Sequence, residues 1–337
     1  MITGIPGIIK MLAPYLELEK KYAEYIGTSG CVTTNTGTSA LHTALEALEL
    51  NPGDEVIVPE FTMIASAWAV VYAGLKPVFV DCQHNLLIDP NKIEEKITPR
   101  TKVIMVTHVY GRVCEMKRIH GIAKKYGLRL IEDACEAQGA RYENEKKVGS
   151  LDIGCFSFYR NKIICAEEGG AITSNDEDFL KKCSDLKSMS FGSEHNYLHG
   201  KIGFNYRMTD SQAVLALKSL ENVEENLKAR KLVESWYNKH LPYKFQNSLW
   251  LERSVVWVYD IRVDSQIKDD LVAFLNSKGI TARHSFKPMS MQPTFNYNYK
   301  NLVSYRASKE VCYLPVIPEM DEPEVVKICN LVKEFFK

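Results

Sequence analysis

Short apolar runs alternate with amphipathic stretches through the first two-thirds of the chain. Six runs are apolar through their centres and rich in β-branched residues, which predicts buried strands: EVIVP, PVFVD, KVIMVTH, LRLIED, GCFSF and GAITS. The stretches among them predict helices at 39–50, 65–73, 91–97, 115–126 and 176–187. Buried strands separated by helices favour an α/β fold, in which helices cover both faces of a mostly parallel sheet.

The last third of the chain follows a different pattern. A helical pattern begins after an N-cap at Thr209 or Asp210 and runs to 241, which predicts one long helix that links a large domain to a smaller one. From about Pro242 the pattern becomes strand, helix, loop and C-terminal helix, typical of an α+β domain. The sequence therefore predicts a large domain at 1–225 and a small C-terminal domain at 226–337.

The charge balance narrows the class of partner. The 337 residues include 42 Lys and Arg and 42 Asp and Glu, so no net field favours nucleic acid or a membrane surface. A small molecule is the expected partner. The nine cysteines show neither a C-x-x-C pair nor zinc-ligand spacing, so we expect buried thiols and no metal site. No signal peptide or membrane-length apolar run is present, and we expect a cytoplasmic protein.

A Thr/Gly turn opens one of the predicted helices. In TTNTGTSALHTALEAL, the turn Thr36-Gly37-Thr38 leads directly into an amphipathic stretch. Free backbone N–H groups and the helix dipole at such a turn can bind a phosphate dianion, although a simple N-cap accounts for the same residues. The sequence has neither a Walker loop nor the G-x-G-x-x-G fingerprint.

Two carboxylates and a lysine follow the next predicted strands. Asp133 ends LRLIED, Glu136 comes three residues later, and Lys162 lies between GCFSF and a Gly pair. Side chains at the carboxyl ends of parallel strands face the crevice where ligands bind. Taken singly, Asp133 could cap a helix and Lys162 could extend to solvent. Together with a phosphate turn, they are the groups that pyridoxal 5'-phosphate (PLP) requires: an anion cradle, a carboxylate for the ring nitrogen and an amine.

Eight sequence motifs along the chain, some of which contain the residues above, bear on the family to which the chain is compared: NTGTSAL, PGDEVIVPEFT, KPVFVD, HVYG, IEDACEAQGA, GCFSFYRNK with EGGAITS, GFNYRMTDSQAVLAL and MQPTF. From about Tyr22 to its C-terminus the chain resembles the DegT-type aminotransferases, fold-type I PLP enzymes that aminate keto sugars attached to nucleotides. The resemblance implies a PLP-dependent transfer of an amino group from an amino acid, glutamate first, to a keto sugar nucleotide.

Within that resemblance, several functions remain open. A 4-keto-6-deoxyhexose linked to a nucleoside diphosphate is the first choice of acceptor, which would give an amino sugar for surface glycans. A 3-keto sugar or a smaller phosphorylated ketone is the alternative acceptor. A non-catalytic regulator with the same fold is the alternative from another class of protein.

The resemblance implies which residues hold the cofactor. Gly37, Thr38 and Ser157 would bind the phosphate. Asn205 would reach the phosphate bound by a neighbouring subunit, so the resemblance also implies a homodimer with shared active sites. Met63 lies where many relatives stack an aromatic ring on the cofactor.

The resemblance also assigns the chemistry. Asp133 would pair with the ring nitrogen, Glu136 would lie near the ring hydroxyl, and Lys162 would bind the cofactor covalently and move the proton during transfer. Some relatives carry His in place of this lysine and dehydrate sugars instead. The lysine in this chain therefore favours transamination.

The substrate pocket is the least defined part of the resemblance. Four residues are predicted to line it by motif position: His108, Tyr110, Tyr159 and Arg283. Tyrosines in strands also serve as core residues. Two departures from the common pattern bear on the substrate: Trp68 replaces a frequent Asn, and Cys165-Ala166-Glu167 replaces Thr-Thr-Gly. Glu167 could face the pocket or solvent, and we favour solvent.

Overall fold

The computed structural model describes residues 13–191, 197–245, 253–295, 297 and 302–337. Seven strands form its main sheet: β1 (Gly30–Thr34), β2 (Glu55–Pro59), β3 (Lys76–Val80), β4 (Thr101–Thr107), β5 (Arg129–Asp133), β6 (Ile153–Ser157) and β7 (Gly170–Ser174). Their order across the sheet is β1-β7-β6-β5-β4-β2-β3. The pairings from β3 to β6 are parallel, whereas β7 is antiparallel to both β1 and β6.

Helices cover both faces of this sheet. Along the chain they are α1 (Pro14–Ile26), α2 (Gly37–Ala47), α3 (Ile64–Tyr72), α4 (Met116–Tyr126), α5 (Glu177–Lys187), α6 (Asp210–Glu221) and α7 (Val223–His240). Strand β4 shows why both faces are buried: Val103 and Met105 join the core under α2, α3 and α5, whereas Ile104 and Val106 join the core under α1, α4 and α6. Alternate side chains of one strand thus fill opposite cores.

A second, smaller sheet lies in the C-terminal part of the chain. Its strands are β8 (Tyr259–Arg262), β9 (Arg283–His284) and β10 (Val311–Leu314), in the antiparallel order β8-β10-β9. Helices α8 (Lys268–Ser277), α9 (Val303–Glu310) and α10 (Glu322–Phe335) belong to the same part. Residues of α7, α8 and α10 share one core with this sheet. The predicted domain boundary after 225 falls inside α7, and the division itself stays a prediction.

Two predicted helices are wrong in form. The stretch at 91–97 forms two short 3-10 turns, Pro90–Lys92 and Glu94–Lys96, because the backbone and side chain of Thr98 bond to Thr101 and Glu55 and turn the chain away. The long helix is two helices. It begins after the Thr209 N-cap as predicted, but Asn222 Nδ2 donates to the Lys218 carbonyl at 2.9 Å and the helix ends there.

Two absences concern the described residues alone. No helix among them has the length and hydropathy needed to cross a membrane. Within the same residues, no group of three or more His, Cys, Asp or Glu side chains is placed to hold a metal ion.

Candidate active site

The candidate site lies at the carboxyl ends of the central strands. Asp133 ends β5, and Ser157 ends the adjacent strand β6. The loop between β6 and β7 carries Lys162. Gly37, the first residue of α2, follows β1. Strand ends in the sequence predicted that Asp133, Lys162 and the turn at Gly37 cluster, and the family resemblance implied Ser157; the structure brings the four residues to one edge of the sheet.

The phosphate turn is built around a glycine with no room for a side chain. Thr36 Oγ1 accepts from the Ser39 N–H at 3.0 Å, which caps α2. A Cβ placed on Gly37 would lie 2.7 Å from Ser157 Cβ and 3.2 Å from Cys135 Sγ. The helix N-terminus therefore packs directly on the end of β6, with partly exposed Thr38 in its first turn. This geometry fits a bound phosphate group.

Asp133 is a buried carboxylate whose hydrogen-bond donors are neutral. Its Oδ2 accepts from Ser66 Oγ at 2.6 Å, and its Oδ1 accepts from the Cys135 N–H at 3.2 Å. Among the described residues, no lysine, arginine or histidine forms an ion pair with it. A buried carboxylate is costly unless a cation compensates it, and a protonated ring nitrogen is such a cation. The donor set thus fits PLP.

Lys162 extends into the protein beside a second buried carboxylate. Its Nζ lies 3.9 Å from Glu136 Oε1 and 3.9 Å from the ring centre of Trp257. Glu136 Oε2 accepts from the Tyr110 N–H at 2.8 Å. Burial raises the pKa of Glu136 to about 7, although the positive charge of Lys162 acts in the opposite direction. This carboxyl can therefore hold or release a proton near neutral pH.

The backbone around Lys162 is held by side chains from distant parts of the chain. Trp257 Nε1 donates to the Asn161 carbonyl at 2.9 Å, and Asn226 Nδ2 donates to the Ile163 carbonyl at 2.8 Å. Gln138 bonds both the N–H and the carbonyl of Ile164. Sequence reasoning missed these holding residues. Gln138 stands within the IEDACEAQGA motif and could have been found, whereas nothing in the local sequence marks Trp257 or Asn226.

The structure corrects two of the predicted pocket residues. The His108 ring is fully buried, and its Nδ1 accepts from the Cys114 N–H at 3.2 Å, so the proton on Nε2 is donated to Glu132 at 3.0 Å. The His108 side chain is therefore a hydrogen-bonded part of the core and does not line a pocket. The Tyr110 ring is fully buried too, in an aromatic cluster, and only its backbone N–H serves Glu136.

The other two predicted pocket residues are accessible. Tyr159 is 38% exposed, and Arg283 is exposed on β9, opposite Tyr313 of β10. Burial and the charge of Glu136 raise the pKa of Tyr313, and Arg283 acts against this rise. Tyr313 thus lies within electrostatic reach of both the Lys162 neighbourhood and the exposed Arg283, and sequence reasoning missed it.

The remaining predicted residues lie at the surface. Met63 precedes α3 and is 47% exposed. Asn205 is exposed, and the neighbouring Tyr206 carbonyl accepts from the Asn35 N–H at 2.8 Å, beside the phosphate turn. Glu167 is exposed and paired with Arg160 at 3.1 Å, which agrees with the orientation toward solvent that we favoured.

Comparison with known proteins agrees with this geometry. Residues 8–333 match the model of the DegT/DnrJ/EryC1/StrS aminotransferase family. The chain belongs to this family. It is 43% identical over 291 residues, 83% of this chain and 78% of the relative, to a GDP-perosamine synthase of Caulobacter vibrioides. It is 33% identical to a UDP-2-acetamido-2-deoxy-3-oxo-D-glucuronate aminotransferase of Pseudomonas aeruginosa, over 97% of this chain and 93% of that one.

A solved structure gives the same result for the fold. The S. venezuelae protein DesV, in complex with a ketimine intermediate, matches with a TM-score of 0.89 and 28% identity, over 98% of this chain and 91% of that chain. The fold is that of the fold-type I PLP aminotransferases, as predicted from the sequence. The protein is an aminotransferase of the DegT/DnrJ/EryC1/StrS family, and its relatives act on sugar nucleotides.

Proposed function

We propose that this aminotransferase binds PLP through Lys162 and transfers an amino group from glutamate to a nucleoside-diphosphate-linked 4-keto-6-deoxyhexose. The observation that carries the proposal is the placement of Asp133. Asp133 is a buried carboxylate, and no described cation pairs with it. It ends β5, beside β6, whose last residue Ser157 packs against Gly37 of the phosphate turn. The loop that carries Lys162 follows β6 directly. Each feature fits one part of the cofactor.

The residues of this chain would divide the work as follows. When bound, PLP supplies the electron sink that stabilises negative charge on the substrate carbon. Asp133 would hold a positive charge on the ring nitrogen. Lys162 would hold the cofactor and move the proton at the reacting carbon. Glu136 Oε1, 3.9 Å from Lys162 Nζ, would set the charge beside that amine. The buried surroundings of Lys162 would keep water away from it.

The names of the relatives guide the choice of acceptor. The relative that is 43% identical is named for a GDP-linked amino sugar, and the one at 33% is named for a UDP-linked 3-oxo sugar. We therefore place a GDP-linked acceptor first. The second candidate is a UDP-linked 3-keto sugar.

We also infer that the active site is completed by a second copy of the chain. Asn205 stands between Phe204 and Tyr206, whose rings stack on each other. The His42 ring lies 4.7 Å from the Phe204 ring and 5.9 Å from Tyr72, which is 55% exposed. Asn205 is exposed, and the aromatic residues on either side of it are partly exposed. Aromatic surfaces of this kind are typical of protein–protein interfaces.

The test of the proposed function has two stages. PLP added to the apoprotein should give a visible absorption band that glutamate removes, and the Lys162→Ala variant serves as the negative control. A panel of nucleotide-linked keto sugars with glutamate should then give the highest kcat/KM with the GDP-linked 4-keto-6-deoxyhexose. No glutamate-dependent change of the band would contradict the proposal. A higher kcat/KM with the UDP-linked 3-keto sugar would favour the second candidate.

A further inference from the structure

A chain of buried hydroxyl groups ends at Asp133. Ser66 Oγ donates to Asp133 Oδ2 at 2.6 Å. Ser66 Oγ also lies 3.0 Å from Thr62 Oγ1, which lies 2.9 Å from Thr107 Oγ1. All three hydroxyl-bearing residues are at most 2% exposed. Buried hydroxyl groups normally donate to a hydrogen-bond acceptor, and here Thr62 donates to Thr107 whereas Ser66 donates to Asp133.

The sheet order explains how the chain forms. Thr62 and Ser66 follow β2, Thr107 ends β4, and Asp133 ends β5. Strand β4 lies between β2 and β5, and Thr107 is paired directly with Asp133 in the register of β4 and β5. The hydroxyl groups therefore cross three neighbouring strand ends directly at the candidate site. Ser66 reaches Asp133 from the first turn of α3.

The chemistry of a carboxylate determines which partner donates in the hydrogen bond between Ser66 and Asp133. An ionised carboxylate only accepts hydrogen bonds, so Ser66 must donate to it. The Cys135 N–H occupies one position on the other oxygen. The two carboxylate oxygens together accept up to four hydrogen bonds, and the Cys135 thiol also bonds to this carboxylate, so a position remains for a further donor. The Ser66 and Cys135 donors fix the plane of the carboxylate and hence the direction of that position.

We propose that Ser66 is a positioning residue that orients the Asp133 carboxylate toward the cofactor ring nitrogen. The proposal rests on the assignment of Asp133 in the proposed function. Thr62 Oγ1 lies 3.0 Å from Ser66 Oγ but donates its proton to Thr107 Oγ1, so the Ser66 hydroxyl is held by packing against Thr62 and by its bond to Asp133. Removal of the Ser66 hydroxyl leaves Cys135, through its N–H and its thiol, as the described partner of the carboxylate.

The decisive variants are Ser66→Ala, which removes the donor, and Ser66→Thr, which keeps it. Ser308→Ala is the matched control, because Ser308 is equally buried but donates to the Tyr305 carbonyl in α9. Asp133→Asn is measured in parallel. For each PLP-loaded protein we would measure the absorption maximum of the bound cofactor, kcat and KM for glutamate, and the midpoint of thermal unfolding.

We expect Ser66→Ala to lower kcat roughly 10- to 100-fold with little change in KM, since a hydrogen bond to a charged group is lost. Its cofactor band should shift in the same direction as that of Asp133→Asn, by a smaller amount. Ser66→Thr should restore most of both properties, and Ser308→Ala should change neither.

Two results separate the proposal from the function on which it rests. If Asp133→Asn has normal kinetics and a normal band, the assignment of Asp133 is wrong. If Asp133→Asn is impaired while Ser66→Ala keeps the wild-type band and kcat, the role of Ser66 is refuted. A Ser66→Ala protein that is merely less stable, with an unshifted band, refutes it as well.

Discussion

The buried carboxyl of Glu136 should make the stability of the apoprotein depend on pH. Its pKa is raised from the ordinary 4.5 to about 7, chiefly by burial. Between these values the native state binds more protons than the unfolded state, so the free energy of unfolding falls as pH rises. A shift of about 2.5 units at 1.36 kcal/mol per unit gives a loss of about 3 kcal/mol that is complete above pH 7.

The Glu136→Gln variant isolates this effect. Glutamine resembles the protonated carboxyl in shape, and its amide oxygen can still accept from the Tyr110 N–H. At pH 5 the variant and the wild type should therefore have nearly equal free energies of unfolding. At pH 8 the variant should be more stable by about 3 kcal/mol, because it has no buried charge. Titrating groups that do not interact with Glu136 are common to both proteins and cancel in the difference, whereas the interactions of Lys162 and Asp133 with Glu136 are part of the effect measured.

The assay is urea unfolding of the two apoproteins at pH 5, 6, 7 and 8 and at one protein concentration. Glu168→Gln is the control, because Glu168 lies exposed on the same loop as Lys162. Its stability should follow that of the wild type at every pH. A difference between Glu136→Gln and wild type that stays constant from pH 5 to 8 would refute the reasoning, as would a variant that is less stable at pH 8.

Three further predictions concern the proposed site. Lys162→Ala should keep the fold, checked by circular dichroism, and lose roughly all turnover, checked with glutamate and the preferred keto sugar; a few per cent of residual rate would contradict this. Gly37→Ala should cost about 1–3 kcal/mol of stability and weaken PLP binding in equilibrium dialysis, since the new Cβ meets Ser157 at 2.7 Å. Gly121→Ala, whose Cβ meets nothing within 4 Å, is its control and should do neither. Asn205→Asp should be inactive by charge repulsion with the phosphate. Mixed with Lys162→Ala, it should recover about a quarter of wild-type activity through hybrid dimers, and verified exchange without recovery would show that Asn205 serves no neighbouring subunit.

The strands could be predicted because most are buried on both faces. The run EVIVP, for instance, predicts a strand at 55–59, and β2 spans Glu55–Pro59 with every residue buried. Strand β1 and helix α1 were not predicted. β1 mixes threonines with apolar residues in GCVTT, and α1 is polar over much of its length, with PYLELEKKYAEYI. Their assignment depends on tertiary partners: β1 pairs with β7, which lies about 140 residues further along the chain.

The site shows the same limit. Asp133 and Ser157 lie together because β5 and β6 are neighbouring parallel strands that end at one edge of the sheet. The rule failed for His108, which also follows a strand end but turns inward to Glu132. The position of a residue just after a strand determines at which edge of the sheet the residue lies. The direction of its side chain depends on the conformation of the loop that follows the strand. For His108 that conformation is set by the Cys114 N–H, six residues away.

The Lys162 loop connects the chemistry to the packing of the C-terminal part. Asn226, which holds the Ile163 carbonyl, accepts at its Oδ1 from Arg230 Nε at 2.7 Å. Arg230 Nη1 donates in turn to the carbonyls of Trp257 and Val316. Arg230 is buried, and burial lowers its pKa to about 10, which still leaves it charged at neutral pH. One buried cation therefore ties together the two residues that hold the lysine loop, Asn226 and Trp257. Because hydrogen bonds to a charged group are strong and directional, the position of the Lys162 amine depends on the fit between helix α7 and the segment before β8 as much as on the strands that flank it.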